Sequence, residues 1–333
     1  MTQKVPFQTV VEALLDNGTP FPARFLHQFS DIAPTDLVLL LKAWPQINTR
    51  RKNTLLEDLE ELAEADTLTN FDEMARPLLA DDDPQVRIRA IRLLWESEDT
   101  KLIPIFLKML NEDVDPEVRA AAANALGLFV YQGELEKIPA NVHHKIEDDL
   151  LKAATSAKEI LVRRRALESL GYSGRQEVIP LIEAAYHEKD PDWVVSALFA
   201  MGRSSDERWK KQVLSKLHEP DEDVRSEAVH AAGELELPSA RSILLDLLED
   251  EEDLEMRREI IWALSKIGGE GVRDRLDELL EAEEDDEEAS FIEEAMDNLT
   301  FTEDMGLIDM FDLDPEEDLH EEELDEEDGL DVD

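Results

Sequence analysis

The chain has 333 residues, with 82 Asp plus Glu against 34 Lys plus Arg, a formal charge of −48. That charge repels phosphate backbones and anionic lipid, so nucleic-acid and membrane-surface binding are set aside. No cysteine is present, which removes a disulfide framework, thiol catalysis and cysteine-ligated metal, and fits a reducing cytoplasm.

With 42% apolar residues, 6% aromatic residues and only 12 glycines, the composition favours a helical core over a β-rich one. No 18 apolar residues run together, and the start, MTQKVPFQTVVEALLDNG, lacks the pattern of a signal peptide. Three parts are expected: capping helices over 1–34, a helical repeat array over 35–300 and an acidic tail over 301–333.

In chain order, a degenerate repeat copy spans Arg50–Ala65, and the pattern becomes clear at DPQVRIRAIRLLW from Asp83. A helix over KLIPIFLKMLNED precedes the copy DPEVRAAAANALG (Asp115–Gly127). An insertion, YQGELEKIPANVHH, comes before the looser copy ILVRRRALESLG, which ends at Gly171. EVIPLIEAAYHEKD leads to DPDWVVSALFAMG from Asp190, then to DEDVRSEAVHAAG from Asp221. After ARSILLDLLEDEED and EMRREIIWALS, a last degenerate copy ends near Leu299. Anchored on Arg87, Arg119, Arg163, Val194, Arg225 and Arg257, the intervals are 32, 44, 31, 31 and 32 residues. From Thr300 the helical period stops, and residues 281–333 hold 27 Asp or Glu and no Lys or Arg. Like charges at this density favour an extended, solvated, disordered tail.

Each unit reads as two helices. Asp before Pro at residues 83, 115 and 190 predicts the start of the second, the carboxylate capping free amides and proline sitting where no donor is needed. Val118, Ala122, Ala123 and Leu126 then form one apolar face at a 3.6-residue period. The Ala122 position recurs as Ala90, Ala166, Ala197 and Ala228, so neighbouring helices can approach closely. Gly127, Gly171, Gly202 and Gly233 either end the helix or permit close contact. Trp193, at the Val118 position, is expected in the core. A lone hairpin leaves both stacking faces wet, so the units must stabilise one another.

The repeated I-P of the first helix and D-P-x-V-R-x-x-A-x-x-A-L-G of the second resemble HEAT repeats of the phycobilisome-lyase-type (PBS lyase) HEAT-like subclass. The match is clear over 71–282 and extends more weakly to 35–299. The resemblance implies an all-α, right-handed α-α superhelix of about seven to eight hairpins, the second helices lining a concave surface. It also implies that Arg87, Arg119, Arg163, Arg225 and Arg257 form a structural ladder with acidic residues at the turns. Val194 and Ile292 interrupt that pattern.

No chemistry stands out. His187-Glu188 and His218-Glu219 invite comparison with deoxyhypusine hydroxylase, a HEAT-like iron enzyme, but they precede the helix-capping Asp190 and Asp221 instead of lying inside the second helix. They read as surface turn residues, and His143-His144 as solvent-facing. Arg163-Arg164-Arg165 is a compact basic run, but the overall charge argues against the basic groove of HEAT-like DNA glycosylases. Phosphate-loop, nucleophile-elbow and zinc-protease motifs are missing from the sequence. No catalytic residue, cofactor or metal is expected, and the chain is read as a non-enzyme.

The expected role is a cytoplasmic scaffold holding a protein or peptide partner in the groove; a bilin lyase or isomerase subunit is the alternative. At 100° per residue, the face opposite the core stripe carries Arg92, Asn124, Glu168, Phe199, His230 and Trp262. Ile88, Ala120, Arg164, Val195, Ser226 and Arg258 flank them. Phe199 and Trp262 are of the types enriched in binding hot spots. Met310, Phe311 and Leu313 form an apolar motif among the tail's carboxylates, expected to dock intramolecularly in the groove under the guidance of Arg92, Arg164 and Arg258.

Overall fold

The computed structural model describes the fold of residues 5–311 and the side chains of residues 5–304. Among these residues the chain is all-α. At the N-terminus lie α1 (Phe7–Leu15) and a 3₁₀ helix (Ala23–Phe29), joined by an edge-to-face contact between Phe7 and Phe29 at 5.7 Å. Eight hairpins follow. They are α2 (Pro34–Ala43) with α3 (Thr49–Ala65), α4 (Asp72–Leu78) with α5 (Pro84–Arg92), and α6 (Ile103–Glu112) with α7 (Pro116–Glu134). Next come α8 (Ala140–Ser156) with α9 (Ile160–Leu170) and α10 (Val178–Tyr186) with α11 (Pro191–Arg203). The last three are α12 (Lys210–Leu214) with α13 (Glu222–Glu234), α14 (Arg241–Asp250) with α15 (Leu254–Ile267), and α16 (Val272–Ala282) with α17 (Asp286–Phe311).

The second helices begin as their caps dictate. Asp83 accepts from the amides of Gln85 and Val86, Asp115 from those of Glu117 and Val118, and Asp190 from that of Asp192. Asn48 and Asp253 cap α3 and α15 in the same way. Four amides at a helix start have no partner within the helix, so each cap removes a defined cost.

Two compact units divide the chain, residues 1–231 and 232–333. In the first, the second helices α3, α5, α7, α9 and α11 pack side by side in that order, each against its own hairpin partner or its neighbours. In the second, α15 lies against α17 and α14 against α16. This lateral stacking of antiparallel pairs is the α-solenoid arrangement. Val118, Ala122, Ala123 and Leu126 are fully buried, and so are Ala90, Ala166, Ala197 and Ala228. Gly171 ends α9, whereas Gly127, Gly202 and Gly233 lie within their helices, and close contact is seen at Gly171 and Gly233. A Cβ on Gly171 would sit 2.7 Å from the Ala200 carbonyl oxygen, and one on Gly233 would sit 2.8 Å from the Ala263 Cα.

Several expectations are corrected. Gly127 does not end its helix: α7 continues to Glu134, because the inserted residues prolong α7 and α8 to 19 and 17 residues. Within that prolonged hairpin His143 is buried and only His144 is exposed. Trp193 is half-buried, its ring covered by the Arg163 guanidinium at 5.2 Å, since the indole outgrows the slot that Val118 fills. The helical period does not stop at Thr300. Helix α17 runs to Phe311, supported by Arg273, which donates to the Thr300 hydroxyl and pairs with Glu303 at 2.6 Å. The expected disordered tail from residue 312 onward, with Leu313, lies outside the described residues.

Candidate functional site

Two sets of side chains join successive hairpins in the first unit. The first is a ladder of charges. Arg87 lies four residues after its cap, donates to Asp113 in the next turn at 2.7 and 3.0 Å, and also donates to the carbonyls of Asp81 and Asp82. One hairpin earlier, Lys52 holds the same place after Asn48 and pairs with Asp81 at 2.8 Å. One hairpin later, Arg119 donates to the Asp113 carbonyl and pairs with Glu159 at 2.7 Å. Arg163 and Arg225 keep the carbonyl contact, to Ala154 and Glu219 respectively. In the second unit Arg257 makes it to Glu251. Arg87 and Arg119 thus reach an acid at the next turn, as the repeat resemblance implies, while the carbonyl contacts of Arg163, Arg225 and Arg257 lie within their own hairpins. Burial acts to raise the Asp81 carboxyl, but hydrogen bonds from Lys52, the Asp83 amide and the Trp44 indole hold it below the usual carboxylate range. The Arg119 hydrogen bond lowers Glu159 likewise.

The second set is a stripe of aromatic and cationic groups. Tyr131 at the end of α7 meets Tyr172, just past α9, with ring centroids 5.2 Å apart. Arg203, closing α11, lays its guanidinium 4.8 Å from the Tyr172 centroid and 4.1 Å from that of Phe199. Phe199 in turn lies 5.7 Å from the His230 ring. Tyr131 is 44% exposed and the other four are half-buried, so the stripe reaches the surface across four helical layers. Such rings and guanidinium groups combine large apolar area with few rotatable bonds and attract cations or other rings at about 0.5–1 kcal/mol each when exposed.

The structure sorts the residues expected to form the groove floor. Arg92 and Asn124 are exposed. Ile88 and Ala120 are buried instead, because the close packing of α5 and α7 covers that position. Glu168, expected at the surface, is only 2% exposed, accepting from the Ser196 hydroxyl at 2.7 Å and pairing with Arg165. Arg164 bonds Ser196 at 2.9 Å and pairs with Asp192, so it ties α9 to α11. His230 contacts Glu227 at 2.9 Å. In the second unit Arg258 pairs with Glu287 and Glu288, and Trp262 lies half-buried 6.3 Å from the Phe291 ring. All three arginines expected to guide the tail are therefore engaged by neighbouring carboxylates, Arg92 by Glu60 at 3.7 Å. Met310 and Phe311 close α17, and Leu313 lies outside the described residues. His187 and His218 are exposed at turns, as read from their position before the caps.

Phe199 and His230 were visible in the repeat alignment, but Tyr131, Tyr172 and Arg203 were not. Tyr131 falls in the insertion, and the other two lie beyond the aligned stretch; aromatic residues at helix ends in successive units are the signal that marks them.

Stacked hairpins with a capping Asp and a ladder Arg at fixed places define a HEAT-like α-solenoid. The chain belongs to the HEAT-repeat proteins: the model of HEAT repeats matches residues 73–140 and 210–296, and that of the PBS lyase HEAT-like repeat matches 162–188. Similar solved structures include YibA of E. coli, at 19% identity over 86% of this chain and 98% of that one, with a TM-score of 0.42. Human deoxyhypusine hydroxylase is similar at 19% identity over 78% and 95%, with a TM-score of 0.34. The complex of CpcE and CpcF of phycocyanin lyase from Nostoc sp. PCC7120 is similar at 19% identity over 68% and 94%, with a TM-score of 0.47. No curated protein sequence matches the chain. Among the described residues, no helix is long and apolar enough to cross a membrane.

Proposed function

We propose that the chain is a non-catalytic cytoplasmic scaffold that holds a protein partner against the stripe Tyr131–Tyr172–Arg203–Phe199–His230. The observation that carries this reading is the continuity of the stripe, whose rings and guanidinium follow one another at 4.1–5.7 Å from α7 to α13. Fold stability alone does not call for a tyrosine 44% exposed at its end. Aromatic and arginine side chains of this kind anchor interfaces because they bury much area for little lost entropy. The charge of −48 favours a partner with a basic surface, drawn in by long-range attraction that salt weakens.

The test is quantitative binding of a partner captured by the full chain and then purified. Tyr131→Ala and Phe199→Ala should each weaken its affinity by about 2 kcal/mol, the size of a hot-spot truncation. Circular dichroism keeps a loss of binding distinct from a loss of fold. Unchanged affinity in both folded variants would place the partner elsewhere. The alternative, a bilin lyase or isomerase subunit, draws on the PBS lyase HEAT-like match at 162–188. Mixing the protein with a bilin and an acceptor apoprotein decides it, because attachment would create a new visible absorbance band.

A further inference from the structure

We infer that the prolonged α7–α8 hairpin holds a divalent transition-metal cation between Glu134, His143 and Glu147. The insertion that stretches one repeat interval to 44 residues supplies the site. Glu134 is the last residue of α7, His143 lies in the first turn of α8, and Glu147 stands one turn further along the same face. One ligand atom from each residue lies within 4.8 Å of the others.

The imidazole is the informative member. His143 is 8% exposed, and its Nε2 is buried without a hydrogen-bond partner. The ring rests on Gly133, where a Cβ would fall 2.1 Å from its Cδ2, so glycine at that place admits the ring. Nε2 points between two carboxylate oxygens, Glu134 Oε1 and Glu147 Oε1, each at 3.7 Å. An imidazolium paired with a carboxylate closes to about 2.7–2.9 Å, so this spacing is too long for a direct ion pair. It suits atoms that share a third. Bonds of about 2.0–2.2 Å to a tetrahedral ion set neighbouring ligand atoms about 3.4 Å apart.

Both carboxylates are also held in place, through the same Oε1 atoms that face the imidazole. Glu147, 1% exposed, accepts from the Ser173 hydroxyl, and Glu134 accepts from the Gly174 amide at 2.8 Å. Supports of this kind orient metal ligands, and a buried carboxylate requires a positive partner. One imidazole and two carboxylates suit zinc, manganese or iron(II), with water completing the shell on the open Glu134 side. The ion would fasten the ends of α7 and α8 to the turn after α9.

The test uses the full chain after chelator treatment, titrated with zinc at physiological salt by calorimetry, and with cobalt(II) for its visible spectrum. Wild type should show one site well above the weak background of surface carboxylates, and a tetrahedral cobalt band. His143→Gln and Glu147→Gln should weaken that site at least ~100-fold, beyond the ~10–100-fold that loss of a supporting partner costs. Glu134→Gln, at a more exposed position, should do the same with the fold intact and decides the matter if the buried variants unfold. Absence of a tight site in wild type, or equal tight binding by folded Glu134→Gln and wild type, would overturn the inference.

Discussion

Within the first unit, the ladder of Lys52, Arg87 and Arg119 and the stripe from Tyr131 to His230 both run between successive hairpins, but with different chemistry. In the ladder, a cation four residues after one cap reaches an acid at the next turn, and each Arg also bonds backbone carbonyls. In the stripe, rings and one guanidinium lie against each other, and Arg203 also donates to the Glu168 carbonyl at 3.2 Å. The ladder is closed: its donors and acceptors satisfy one another. The stripe keeps apolar faces and a half-buried guanidinium at the surface, which is the chemistry a protein partner can use. On the proposed reading, stacking and recognition fall to separate side chains.

The largest effect should come from breaking the ladder. Arg87→Ala leaves the carboxylate of Asp113 unpaired at a site where both side chains are only 11% exposed, and should cost about 3 kcal/mol in urea unfolding. Gly171→Ala forces a methyl group to within 2.7 Å of the Ala200 carbonyl, driving α9 from α11 at a cost of about 2 kcal/mol. That change should also weaken the stripe, since Arg203 lies across the same contact.

Acid should act on the ladder more gently. The folded-state values of Asp81 and Glu159 lie below those of the unfolded chain. Folding therefore disfavours their protonation, and the stability they contribute is complete above about pH 4 and lost as the pH falls through the folded-state values. Thermal midpoints measured across that range should fall, and Lys52→Met should flatten the part due to Asp81. The smallest effect is expected in the second unit. Arg258 is itself 34% exposed and pairs with an open Glu287 and a largely covered Glu288, so Arg258→Ala should lower the unfolding midpoint, but by less than Arg87→Ala does.

Much of this fold is legible in the sequence because HEAT repeats write their joints in fixed places. Asp-Pro at the caps, the Arg four residues on and the small residue at the Ala122 position each have one physical role that recurs. The candidate sites were less legible for the same reason. Glu168 occupies an outward position on its own helix, yet Ser196 and Arg165 enclose it, a contact that depends on the neighbouring hairpin. His143 sits in an insertion with no counterpart among the repeats, and its burial depends on Gly133 in another helix. Helical period assigns a face, whereas these contacts depend on which hairpin covers it.

A photo-crosslinking side chain placed at Tyr131 and, separately, at the exposed ladder-side Gln85 tests the division between stacking and recognition most directly. With the purified partner, the account predicts a covalent adduct from position 131 and none from position 85. Adducts of equal yield from both positions, or from position 85 alone, would contradict it.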